Sequence, residues 1–193
     1  MTNKIGLFFG TFNPIHTGHM VVASVMLETT DIEKIRFVVS PQNPFKTQSD
    51  LLDESDRLEM VRSAVNENDG MEVSDIEFHL PKPSYTYDTL TRIQDEDKNS
   101  KFVLIIGEDN LQDFGKWKNS ELIISSFDLY VYPRTSSLDS DFMNHRNITM
   151  VEAPKMDISS SFIRDFITTG KSIRFLVPEP VEKIISESKY YLE

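Results

Sequence analysis

Unbroken apolar runs alternate along this chain with stretches whose apolar positions recur at three- and four-residue spacing. Ile5-Gly6-Leu7-Phe8-Phe9, residues 35–39 and residues 102–106 show little polar alternation, as expected of strands buried on both faces of a parallel sheet. Residues 71–78, 127–132 and 148–151 read as further strands. Residues 18–27 read as a buried helix. Residues 51–65 read as a second helix, with Leu51, Leu58, Val61, Ala64 and Val65 on one face and Asp53 or Ser55 as cap. Thr86 is a natural N-cap for a helix running through Ile93, and Ser120 opens a short one carrying Leu122, Ile123 and Ile124. A helix opening in the serines from Ser159 should stop at Gly170, and Pro178 and Pro180 precede a terminal helix with Val181, Ile184 and Ile185. Residues 135–146 are polar, have no period and read as a loop.

The alternation predicts an α/β fold, a three-layer Rossmann-like domain with a mainly parallel sheet and a ligand cleft across the strands' carboxyl ends. At 193 residues, 39% hydrophobic and 26% charged, the chain suits one domain over residues 1–193. The net charge of −11 argues against extended binding to nucleic acid or an anionic membrane, and no apolar run approaches a membrane span. A small phosphorylated ligand needs only a local cluster of donors, and Lys46, Arg134 and Arg164 stand in or beside predicted loops. The absence of cysteine excludes disulfides and fits a cytoplasmic location, as does an N-terminus without a secretory apolar stretch. Self-association is left open.

The first apolar run stops at Gly10-Thr11-Phe12-Asn13-Pro14-Ile15-His16-Thr17-Gly18-His19, a loop that leads into the first helix. Two of the chain's four histidines lie there, with His19 in the first helical turn, where free N–H groups and the helix dipole favour an anion. Metal ligation has little support, because cysteine is absent and no nearby carboxylate has ligand spacing. Phosphate contact fits better. Ile158-Ser159-Ser160-Ser161-Phe162-Ile163-Arg164 places hydroxyls at a helix start and Arg164 one turn on, which alone signifies no more than a cap. Gly107-Glu108-Asp109 follows the clearest buried strand, where a carboxylate suits sugar hydroxyls or a helix cap. Trp117, the single tryptophan, is open to core packing or ring stacking.

His16-Thr17-Gly18-His19, together with the Ile158 to Arg164 motif, resembles the nucleotidyltransferase superfamily with a His-x-Gly-His signature. Ser84-Tyr85-Thr86-Tyr87-Asp88-Thr89-Leu90, Ile106-Gly107-Glu108-Asp109-Asn110-Leu111, Lys116-Trp117-Lys118 and Leu176-Val177-Pro178-Glu179-Pro180-Val181 extend the resemblance to the bacterial nicotinate-nucleotide adenylyltransferase family. It implies adenylyl transfer from ATP to nicotinate mononucleotide in NAD biosynthesis, by direct attack of the acceptor phosphate and with magnesium on the phosphates. His16, His19, Lys46 and Arg164 are implied as the catalytic groups. The nucleotide falls to Gly10, Thr11, Phe12, Gly18, Gly107, Asp109, Ser160 and Ser161, and the acceptor to Thr86, Trp117, Lys118 and Arg134. No protein metal ligand is implied. Phe45 stands where the family has a histidine, Phe9 where glycine is common, Asn13 where aspartate is common and Lys118 where an aromatic residue sometimes stands. His79 and His145 match no motif and read as structural or surface residues. Phosphopantetheine adenylyltransferase, which shares the phosphate signatures, and a non-catalytic nucleotide-binding module are the alternatives.

Overall fold

Residues 3–42, 51–66, 68–134 and 140–192 are described by a computed structural model. Six strands, β1 (Lys4–Gly10), β2 (Lys34–Val39), β3 (Met71–Ser74), β4 (Lys101–Gly107), β5 (Asp128–Tyr132) and β6 (Ile148–Met150), form one sheet in the order β3-β2-β1-β4-β5-β6. Every pairing is parallel. The helices are α1 (Thr17–Thr29), α2 (Glu54–Val65), α3 (Thr86–Glu96), α4 (Glu108–Asp113), α5 (Ser120–Ser126), α6 (Ser160–Thr168) and α7 (Glu179–Ser188).

Strand side chains alternate between two cores, as the two-residue period of a strand requires. Phe8, Phe37, Val39, Ile105 and Tyr132 share one with Val22 and Met26 of α1, Val61 of α2, Ile163 of α6 and Val181 of α7. Leu7, Val38, Leu104, Ile106 and Val131 share the other with Leu90 of α3, Leu111 of α4 and Ile123 of α5. The result is the expected three-layer, Rossmann-like arrangement. The strand order reverses between β1 and β4, whose register pairs Phe8 with Ile105, so Gly10 and Gly107 leave the sheet side by side. A crevice opens at such a reversal.

Several predicted elements differ in extent, among them the terminal helix, which takes in Pro180 by opening at Glu179. The strand predicted over residues 71–78 ends at Ser74, whose Oγ accepts the Ile76 N–H, and the chain turns into a 3-10 helix over Ile76–His79. α2 opens at Glu54 instead of residue 51, because Asp53 caps it by accepting the Ser55 N–H at 2.9 Å. Thr86 is the first residue of α3 and not its cap; extended Tyr85 holds that position, and its carbonyl accepts the Thr89 N–H. α6 ends at Thr168, with Gly170 at φ +68 just beyond, a backbone region that glycine enters without strain. Residues 140–146, the described part of the predicted loop, form turns.

Candidate active site

The loop between β1 and α1 is held from several directions. Arg57 of α2 is fully buried and donates to four main-chain oxygens: Nη1 to Thr11 (2.6 Å) and Ser40 (2.7 Å), Nη2 to Pro41 (2.8 Å) and Nε to Leu52 (2.9 Å). Burial pushes its pKa down, with weak opposing help from Tyr191, Glu54 and Asp53. Buried Asn13 accepts through Oδ1 from the Tyr191 hydroxyl at 2.9 Å and the Leu52 N–H at 3.3 Å. From α6, Ser160 Oγ donates to the Pro14 oxygen and Arg164 Nη1 to the Asn13 oxygen, each at 2.9 Å. The second predicted phosphate motif thus grips the main chain of the first.

His16 caps α1 and His19 is its third residue, and their rings stack with centroids 3.6 Å apart. The His16 N–H donates to His19 Nδ1 at 3.2 Å, while His16 Nδ1 is buried toward the His19 amide without a well-formed hydrogen bond. Gly18 makes this packing possible, since a Cβ there would stand 3.1 Å from His16 Nδ1. His19 also meets the edges of Phe12 (5.1 Å) and Phe8 (5.8 Å). Burial, with a smaller contribution from the Arg134 charge, lowers the His16 pKa to about 3, so the ring is uncharged at neutral pH. Burial likewise raises the neighbouring Tyr132 phenol to about 12.

Two recesses flank this loop. One, of about 130 Å³, is lined by predicted residues Gly10, Thr11, Thr86, Trp117 and Lys118, together with Phe9, Ser40, Glu77, Ser84 and Tyr85. Trp117 leans on Phe114, with ring centroids 5.4 Å apart. The Lys118 ammonium pairs with Asp88 at 2.9 Å and lies 4.3 Å from the Tyr85 ring centroid, which ties the Trp117 turn to the start of α3. The other recess is much smaller and lined by His16, Gly18, His19, Tyr132, Arg134 and Met156. Arg134 therefore stands with the histidines and not with Trp117, and its Nε lies 3.9 Å from Asp109 Oδ2. A Cβ on Gly107 would collide with the Asp109 carboxylate. The Phe12 ring is buried among Phe8, Phe37 and His19. Ser161 is exposed at the start of α6, and Lys46 and Phe45 lie outside the described residues.

Two polar residues at the site escape sequence reasoning. Arg57 resembles any charge on a helix, and Glu77 falls in a stretch that reads as a strand; both are buried by contacts with distant segments. Among the described residues, no three His, Cys, Asp or Glu side chains converge as a metal cage. No helix there is long and apolar enough to cross a membrane.

Residues 7–166 match the cytidylyltransferase-like family. The chain is 53% identical over 188 residues to a probable nicotinate-nucleotide adenylyltransferase of Cytophaga hutchinsonii, covering 97% of this chain and 98% of that one. It is 50% identical to the protein of the same description from Christiangramia forsetii, covering 99% and 100%. The chain belongs to the nicotinate-nucleotide adenylyltransferase family. The fold agrees: Plasmodium falciparum nicotinic acid mononucleotide adenylyltransferase complexed with NaAD superposes with a TM-score of 0.82 at 21% identity, over 98% of this chain and 97% of that one. A putative nicotinate-nucleotide adenylyltransferase of Vibrio parahaemolyticus gives 0.74 at 21% identity, covering 99% and 96%. In this adenylyltransferase chain, the loop between β1 and α1 lines both recesses: Gly10 and Thr11 border the one with Trp117 and Thr86, and His16 and Gly18 the one with both histidines.

Proposed function

We propose that this chain transfers the adenylyl group of ATP to nicotinate mononucleotide, giving nicotinate adenine dinucleotide and pyrophosphate, as a cytoplasmic step of NAD biosynthesis. The observation that carries this reading is that one loop, from Gly10 to Gly18, lines both the recess with the two histidines and the aromatic, donor-lined pocket of Trp117 and Thr86. An oxygen of the acceptor phosphate attacks the α-phosphorus, the bond to the β-phosphate oxygen breaks, and pyrophosphate leaves with the electron pair. Catalysis then rests on alignment and on stabilising charge on the phosphate oxygens.

His19 is pre-set for that task. Its Nδ1 accepts the His16 N–H, which leaves the Nε2–H as the ring donor for a phosphate oxygen. His16 is uncharged, so positive charge is left to Arg134, Arg164, Lys46 and the amino-terminal end of α1. Gly10, Thr11, the Phe12 main chain, Gly18, Ser160 and Ser161 surround the triphosphate, and Asp109, next to Gly107, takes the ribose hydroxyls. No His, Cys, Asp or Glu cluster among the described residues would hold a magnesium ion, so one brought by ATP would supply charge neutralisation on the phosphates.

Trp117 stacks on the pyridine ring, and the N–H groups at Thr86 and Lys118 with the Thr86 hydroxyl receive the ring carboxylate. The Lys118 ammonium is already engaged by Asp88. A carboxylate accepts from every such donor, whereas a carboxamide turns an NH₂ toward some of them. One mispaired buried donor costs about 1–3 kcal/mol, or roughly tenfold to hundredfold in preference for the acid. Incubation with ATP, magnesium and nicotinate mononucleotide, nicotinamide mononucleotide or phosphopantetheine tests this reading. Pyrophosphate should appear fastest with the nicotinate acceptor. Equal rates with the amide, faster release with phosphopantetheine, or no release with any acceptor would contradict it.

A further inference from the structure

We propose that Glu77 is a positioning residue that fixes the acid-recognising wall of the acceptor pocket; the inference rests on the acid preference proposed above. Glu77 lines the Trp117 recess yet is only 3% exposed. Its Oε1 accepts the Thr89 hydroxyl at 2.8 Å and its Oε2 the Ser84 hydroxyl at 3.0 Å, and the Ser40 side chain is a third hydrogen-bond partner. These hydroxyls come from α3, from the turn entering α3 and from the loop after β2, so one carboxylate gathers three segments around the cavity. Burial pushes the Glu77 pKa up and the three hydroxyl donors oppose that shift; no basic side chain contributes. Thr86 lies between Ser84 and Thr89 in sequence, so both ends of the turn that presents its N–H and hydroxyl are pinned to a single group. A buried network satisfied in this way rigidifies what it holds, whereas a gap in it leaves hydroxyls without partners.

The test is steady-state kinetics of the full chain with both mononucleotides, each at saturating magnesium-ATP, together with the KM for ATP. Glu77→Ala should raise the KM for nicotinate mononucleotide about tenfold and lower the acid-to-amide ratio of kcat/KM about as much, with the KM for ATP within twofold of wild type. Glu77→Gln retains the shape and one accepting oxygen, and a hydroxyl facing its NH₂ can rotate to accept from it, so it should restore most of the ratio. Ser84→Ala removes one arm only and should lower the ratio about threefold, which keeps the test open if Glu77→Ala fails to fold. A folded Glu77→Ala or a Ser84→Ala with the wild-type ratio, a Glu77→Gln as impaired as Glu77→Ala, or a parallel rise in the KM for ATP would overturn the proposal. A wild-type ratio near one overturns the acid preference as well, whereas a wild-type preference retained undiminished in Glu77→Ala overturns the role of Glu77 alone.

Discussion

Ser160 Oγ donates to the main-chain oxygen of Pro14 at 2.9 Å across 146 residues of sequence. The bond joins the first residue of α6 to the buried turn just before His16. Ser160→Ala deletes the donor and leaves that carbonyl without this partner, for an expected loss of about 1–2 kcal/mol. Turnover at saturating substrates should also fall, because the histidine loop loses one of its ties. The urea midpoint and the rate of pyrophosphate release check both effects, and wild-type values for both would contradict the link.

Arg57 holds the roots of two site loops with one guanidinium, whose planar donors reach Thr11, Ser40, Pro41 and Leu52 together. Arg57→Ala strands four carbonyls and opens a cavity in a fully buried position, and should cost about 3–5 kcal/mol. Arg57→Lys keeps the charge but not the fork, so denaturant unfolding should place it between alanine and wild type.

The buried His16 makes stability depend on pH. Its folded pKa of about 3 lies below the unfolded value of 6.5, so between those values the unfolded chain binds the extra proton. The contribution is complete above pH 6.5 and is lost progressively as pH falls toward 3. It amounts to about 2 kcal/mol between pH 7 and pH 5. His16→Asn removes the titrating group, so its unfolding free energy should decline less than that of wild type over this interval. Equal declines would show that His16 does not titrate as its burial requires.

The two central strands were legible because β1 and β4 are buried on both faces and need no polar alternation, and their terminal glycines mark where the cleft opens. The histidine pair, the serine motif and Trp117 were legible as local patterns, and the fold brings them to one end of the sheet. Residues whose neighbours are distant in sequence were not legible. Glu77 is buried because the chain turns after Ser74 and brings its carboxylate to Ser84 and Thr89. Arg57 is buried because four carbonyls from three segments converge on it. Asn13 is buried for the same reason, its Oδ1 accepting from Leu52 and from Tyr191 near the end of the chain. The position of Arg134 beside the histidines has the same origin: where β5 delivers it depends on the sheet order.

The most direct measurement of the central claim is pyrophosphate release by His19→Ala at saturating ATP and nicotinate mononucleotide, with thermal unfolding followed on the same sample. If His19 Nε2 donates to a phosphate oxygen in the transition state, the rate should fall by about 10²–10³-fold while the protein remains folded. A folded variant that turns over at the wild-type rate would contradict adenylyl transfer at the two-histidine loop.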